Sequence, residues 1–211
     1  MFSLNKLSPT ITDMIRFDHS HVMVTFHQYT KDKGPSVKKA LAETICTALE
    51  IHATLEEEVF YPVMRELDKG EPFVHKAEPE HNDMRRIIAE LRRTSGSDPR
   101  HDKLLLELMR DVIHHVADEE TTLLPQAEML MSKARLSDLG AQMTKRRLEL
   151  VAPKAGQLAK NHAVGFSGST AAVAVGVVSA LLAMRTLVKK PGAEPRNNRT
   201  WANANSMPHG G

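Results

Sequence analysis

The sequence predicts an all-α fold: an antiparallel up-down-up-down four-helix bundle with a C-terminal helical extension. Three observations predict it. Apolar residues recur at helical spacing from about residue 10 to 150, and no stretch carries a strand signal of weight. One motif occurs twice. Ile51-His52-Ala53-Thr54-Leu55-Glu56-Glu57-Glu58-Val59-Phe60-Tyr61-Pro62 returns 63 residues later as His115-Val116-Ala117-Asp118-Glu119-Glu120-Thr121-Thr122-Leu123-Leu124-Pro125, with the same His-to-Glu step of four and His-to-Pro step of ten. Two more histidines keep matched distances, His19 lying 33 residues before His52 and His81 lying 34 before His115.

The first helix is expected over residues 10–31. Ser8-Pro9-Thr10 and Thr12 supply start signals, Ile11, Met14, Ile15, Val22 and Phe26 an apolar face, and Asp32-Lys33-Gly34-Pro35 the stop. Ser36 is expected to cap the second helix, which carries Leu41, Ile45, Leu49, Leu55, Val59 and Phe60 to about Leu67. Pro62 predicts a kink or an early stop within it. Lys69-Gly70-Glu71-Pro72 reads as a loop. The third helix covers 73–94, with Pro79 expected to break its first part and Met84, Ile87, Ile88 and Leu91 on its apolar face. Asp98 caps the fourth helix and Pro99 takes its first position. That helix runs through Leu105, Leu108, Ile113, Val116 and Leu123 to about Leu130. The bundle thus spans 8–132. A shorter charged helix follows within 133–152, capped by Ser137 and ended near Pro153.

Composition narrows the function. Hydrophobic residues are 41% of 211 and aromatics 4%, so Leu, Ile, Val and eleven Met must fill the core. A net charge of +2 with mixed signs makes no electrostatic case for a nucleic-acid partner. The single cysteine, Cys46, excludes an intramolecular disulfide framework and fits a reducing compartment. The N-terminal stretch has no continuous apolar run, so no secretory signal is expected.

Helix geometry brings the matched histidines together. From His19 to the first turn is about a dozen residues, and from Ser36 to His52 sixteen, giving arms of roughly 18 and 24 Å. His19 and His52 therefore meet across one hairpin, and His81 and His115 across the other. Residues four apart share a helix face, so Glu56 and Glu119 join the same level. Read singly, a histidine on a helix is ordinarily a surface or hydrogen-bonded residue, and Glu57-Glu58 or Glu119-Glu120 a solvated face. Six positions agreeing with one bundle geometry favour a metal site of His19, His52, Glu56, His81, His115 and Glu119. Its mixed nitrogen and oxygen donors suit iron or manganese, and exceed what one tetrahedral zinc needs. Two metals bridged by two carboxylates use the donors economically. His21 and His27 fall off the stripe, His101 sits in the first turn of its helix, and His114 points about 100° from His115. His75 is a weaker alternative ligand, and Cys46 reads as a small core or surface residue.

The chain resembles the hemerythrin-like, or HHE cation-binding, family. Asp18-His19, His52 to Pro62, His81 with Asn82-Asp83-Met84-Arg85-Arg86-Ile87-Ile88, and His115 to Pro125 carry the resemblance, over about residues 8–150. Leu136 to Met143 resembles the helix that commonly follows such bundles. The resemblance implies a non-haem di-iron centre of two iron ions. His19 and His52 would bind one, His81 and His115 the other, and Glu56 and Glu119 would bridge them. In the oxygen-carrying hemerythrins the third helix supplies a His pair four apart. Here the position four before His81 is Ala77, so one imidazole is missing and Glu78 or solvent is expected in its place. An open position suits activation of a small molecule. The expected function is to bind or react with O2, peroxide or NO. The alternatives are a non-catalytic oxygen or redox sensor or carrier, and iron buffering at a membrane.

Residues 163–184, AVGFSGSTAAVAVGVVSALLAM, carry no charge, and Lys160, Arg185, Lys189 and Lys190 flank them. The segment, extended to 188, is expected to anchor a cytoplasmic bundle to the inner face of a membrane. Its many small residues also suit a helix packed on another subunit. The tail, 189–211, is expected to be disordered.

Overall fold

The structure, a computed structural model, describes residues 9–67 and 73–166. Helix α1 spans Ile11–His27. Thr10 caps it, accepting from the Asp13 amide at 3.1 Å while the Asp13 carboxylate accepts from the Thr10 amide. It stops short of residue 31. Short-range bonds from Gln28 to Thr25 and from Tyr29 to Phe26 tighten its last turn, and the Tyr29 side chain crosses to His101 and Asp102. Helix α2 spans Pro35–Leu55, with Gly34 rather than Ser36 at the cap. Proline's fixed φ and missing donor suit the first helical position, which moves the start one residue back.

Pro62 neither kinks the chain into a stop nor ends the helix. A π-helical turn, Glu56–Phe60, widens the path, and α3 continues over Tyr61–Leu67. Helix α4 is Phe73–Arg93, unbroken at Pro79, whose ring lies on an exposed position of the helix. Helix α5 is Pro99–Asp118, capped as expected by Asp98, whose carboxylate accepts from the Arg100 amide at 2.8 Å. A second π turn, Glu119–Leu123, precedes α6, Leu124–Leu130, with Pro125 in its first turn. Both π turns open on the glutamate of the duplicated motif, and in both the next amide, of Tyr61 or Leu124, bonds back five residues to that glutamate's carbonyl. The extra residue per turn lets each helix carry a proline without breaking.

Helix α7 is Lys133–Val151, capped by Ser132. Ser137, expected as the cap, is instead buried inside it. A short 3-10 turn, Ala152–Lys154, leads into α8, Ala155–Gly165, where no helix was expected before residue 163. Among the described residues no helix is long and apolar enough to cross a membrane. The anchor candidate from residue 167 onward, and the tail 189–211, lie outside the described residues.

Helices α1 and α2 form one hairpin, α4 and α5 the other, and the two pack as a four-helix bundle. Helix α7 lies across α1 and α2, and α8 runs along α2. The apolar core falls into two clusters. Val22, Ile45, Leu49, Ile87, Leu91, Leu105 and Leu108 fill the end near the hairpin turns. Ile15, Leu55, Phe60, Met64, Leu123, Leu136 and Leu139 fill the other, where α7 closes the bundle. Each fully buried chain of this kind stabilises the fold by about 1.5–3 kcal/mol relative to exposure. At the turn end, the Lys39 ammonium donates to the carbonyls of Arg92 at 2.7 Å and Thr94 at 2.8 Å, binding α2 to the negative end of α4.

Gly140 lets α7 touch the start of α1. A Cβ there would stand 2.2 Å from the Pro9 carbonyl oxygen, a backbone atom that cannot swing away. Valine regains only a few tenths of a kcal/mol of helix propensity over glycine. Gly140→Val should therefore destabilise the protein by about 2 kcal/mol, read from the urea midpoint.

Candidate metal centre

Between the two apolar clusters lies one polar layer. It brings together all six side chains singled out in the sequence. His19, His52, His81 and His115 are almost fully buried, and Glu56 and Glu119 are 0% exposed. The rings of His19 and His52 lie 4.9 Å apart, and those of His81 and His115 4.7 Å. Each carboxylate stands between the two pairs. Glu56 Oε2 is 3.3 Å from His52 Nε2 and 3.4 Å from His81 Nε2. Glu119 Oε2 is 3.2 Å from His19 Nε2 and 3.6 Å from His115 Nε2.

The histidines are oriented from outside by four acids. Glu120 meets His19 Nδ1 at 2.8 Å, Glu57 meets His81 Nδ1 at 2.9 Å, and Glu80 meets His115 Nδ1 at 2.9 Å. Asp18 lies 3.5 Å from His52 Nδ1 and is held by Arg147, which reaches it from α7 at 2.5 and 2.6 Å. A carboxylate only accepts, so these outer contacts need a proton on Nδ1, which leaves Nε2 to face the inner carboxylates or a cation. Glu57 and Glu120, which read as solvated faces in the sequence, are thus part of the site. Their role follows from how each helix is rotated about its axis, which the motif alone does not carry.

The inward atoms lack partners. His19 Nε2, His52 Nε2, Glu56 Oε1 and Glu119 Oε2 are buried without a hydrogen bond. His81 Nε2 and His115 Nε2 stand 3.1 Å apart, close enough to share a proton or to face a common cation. Buried donors left without partners are satisfied when a cation lies among them. The donor atoms fall into two groups that share Glu56, one of His19, His52, Glu56 and Glu119 and one of Glu56, His81 and His115. Within each, the atoms lie within 4.8 Å of one another. The residues present therefore fit a bound metal cation.

Electrostatics point the same way. Burial alone would lower the His115 pKa, but Glu119, with Glu56 and Glu80, raises it to about 10. Against the same burial, Glu119 raises His19, and Glu56 with Glu57 raises His81. Burial would raise Glu56, yet His52, His115 and His81 hold it well below the usual carboxylate range. Two buried anions demand positive charge, and protons on imidazoles supply it when no metal does.

Tyr61 is the functional candidate that sequence reasoning missed. Its hydroxyl donates to Glu119 Oε1 at 2.8 Å and reaches Glu56 Oε2 at 3.1 Å. Five residues from Glu56, it falls off an α-helical stripe, and only the π turn brings it back. Ala77 is fully buried in apolar surroundings and offers no donor. Glu78, expected in its place, instead pairs with Arg65 on α3. The side chain of His75 lies outside the described residues. His101 is buried far from the layer and bonds Tyr29 at 2.8 Å. His114 is exposed beside Glu80 and Asp118, a group whose charge Lys76 balances at 3.3 and 2.7 Å. Cys46 is a core residue whose thiol burial pushes up to about 12.

Beside the layer lies a cavity of about 20 Å³, room for roughly one water-sized molecule. Val22, Leu49, Met84, Ile88, Val112 and Val116 give it apolar walls, and all four histidines border it.

Residues 10–127 match the family model of the hemerythrin HHE cation binding domain. A curated DNA nickase of Nostoc sp. (strain PCC 7120 / SAG 25.82 / UTEX 2576) is 31% identical over 119 residues. The match covers 56% of this chain and 34% of that relative, so the chain spans about a third of the nickase's length. No solved structure matches significantly.

The raised His115 pKa sets a pH dependence for protein kept free of metal by a chelator. A histidine raised from 6.5 contributes stability that is fully present below 6.5 and is lost as pH rises through about 10. Unfolding free energy should fall across that window, by at most about 1.4 kcal/mol per pH unit for one proton. In His115→Gln the slope should be shallower, as urea midpoints at a series of pH values would read.

Proposed function

Because the chain belongs to the hemerythrin HHE cation-binding family, we propose that its buried layer holds two iron ions in a non-haem centre that binds or reacts with O2, peroxide or NO. His19 and His52 would hold one ion, His81 and His115 the other, with Glu56 and Glu119 as the carboxylates placed to be shared. The observation that carries this reading is the set of buried, partnerless donors, His19 Nε2, His52 Nε2, Glu56 Oε1 and Glu119 Oε2, in one layer. Iron bound there supplies redox chemistry and open coordination positions for a small ligand.

The chain's own residues do the rest. Glu120, Asp18, Glu57 and Glu80 hold the imidazole protons on Nδ1 and fix the ring planes. The apolar walls keep bulk water from the donors, and the small cavity admits a diatomic-sized guest rather than a bulky substrate. Ala77 leaves the side of the layer near His81 without a third imidazole, and Glu78 is committed to Arg65. That supports an open position rather than a saturated one.

The nickase relative brings DNA cleavage to mind, but burial argues against it here. A phosphodiester must reach the ions, and the two shared carboxylates have no solvent exposure. A nucleic-acid partner therefore has no part in the proposal.

Purified protein should carry about two irons per chain, and His81→Ala about one, with a changed optical spectrum under air. Peroxide turnover lost in His81→Ala would mark an enzyme. A stable, reversible oxygen adduct would mark a carrier or sensor, and labile iron with no small-ligand adduct would mark buffering. Iron-free protein after loading, or nicking of supercoiled plasmid that His81→Ala abolishes, would overturn the reading.

A further inference from the structure

Tyr61 stands where the second copy of the motif has Leu124. It is fully buried, in the same apolar cluster as Ala77. Its ring stacks on His81 with centroids 5.7 Å apart and planes 23° from parallel. The π turn that opens at Glu56 brings the ring over the layer, since the Tyr61 amide bonds to the Glu56 carbonyl. The hydroxyl meets Glu119 Oε1 at 2.8 Å and Glu56 Oε2 at 3.1 Å. The other oxygen of each carboxylate, Glu56 Oε1 and Glu119 Oε2, has no hydrogen-bond partner.

We propose that Tyr61 is a positioning residue of the centre, its hydroxyl bonding one oxygen of each shared carboxylate and so fixing the plane in which that carboxylate meets the histidines. The inference rests on the metal-binding reading above. The last torsion of a glutamate is broad, so a buried carboxylate needs a second contact to fix its plane. The hydroxyl provides that contact for both glutamates at once. It also adds a neutral donor between the two carboxylates, beside the imidazoles that face them. The duplicated motif therefore needs only one tyrosine: a hydroxyl from α3 serves the glutamate of its own copy and that of the other, and Leu124 can stay apolar.

The test is Tyr61→Phe, which keeps the ring, its stack on His81 and its volume in the core. Cobalt(II) alone is titrated anaerobically into chelator-treated wild type and variant, with circular dichroism to check the fold. Tyr61→Phe should bind the same number of ions about 10- to 100-fold more weakly, with altered cobalt bands. Equal affinity and an unchanged spectrum would overturn the proposal while leaving the metal reading intact. No cobalt bound by wild type would overturn both. A phenolate-to-iron(III) band present in the ferric wild type and lost in Tyr61→Phe would make Tyr61 a ligand, and so overturn the positioning role. Should the variant misfold, 3-fluorotyrosine labelling keeps the test open, because the chain has two tyrosines. With Tyr29→Phe assigning the signals, the fluorine resonance of Tyr61 should shift as cobalt binds. An unmoved resonance would overturn the proposal.

Discussion

Glu56 and Glu119 sit in the middle of an apolar bundle with no exposure to solvent. A lone carboxylate so placed carries a desolvation cost of several kcal/mol, and here there are two. What surrounds them answers that cost. Four imidazoles bring nitrogen atoms to within 3.2–3.6 Å of the two carboxylates, and Tyr61 adds a hydroxyl. The apolar clusters on either side supply the burial that lets the fold carry such a layer at all. They also wall it from water, so charge inside the layer is weakly screened and a cation there would be strongly held.

The layer is not isolated from the rest of the chain. Helix α7 lies outside the four-helix bundle, yet it reaches the site through a relay. Arg147 grips Asp18 with two hydrogen bonds, and Asp18 faces His52 Nδ1. Gly140 on the same helix permits the close approach to α1 from which Asp18 projects. The helix that follows the bundle therefore helps to orient a histidine, besides closing the apolar end beneath it. On the opposite hairpin Arg85 does a related job, holding Glu57 at 2.7 Å while Glu57 meets His81. The pairing keeps the Glu57 carboxyl down at about 2 despite partial burial.

The duplicated motif builds a near-symmetric site, and its departures from symmetry are local. Two of them flank His81. Ala77, one turn before it, offers no donor, and the space nearby is apolar. Tyr61 stacks on its ring, where the second copy has Leu124. One side of the layer is therefore richer in oxygen contacts and poorer in nitrogen. The small cavity borders all four histidines, so a guest there would meet both halves.

The helices and the convergence of six side chains were legible in the sequence for a physical reason. An α-helix has a fixed rise and period, so a His-x-x-x-Glu step and matched hairpin arms set height and face without knowledge of the neighbours. Proline and aspartate at 98–99 likewise marked a helix start through local geometry. The tertiary structure decided what depends on rotation and on single-residue insertions. Glu57 and Glu120 became partners of histidines because their helices are turned to face the neighbouring helix. Pro62 and Pro125 were absorbed by π turns rather than causing a stop, and the same widening aimed Tyr61 at both glutamates. Glu78 went to Arg65, a partner on another helix that no spacing rule could name. Sequence periodicity by itself determined which residues share a level. Only packing decided which atoms in that level were satisfied and which were left free, because hydrogen bonds depend on ångström-scale placement between helices.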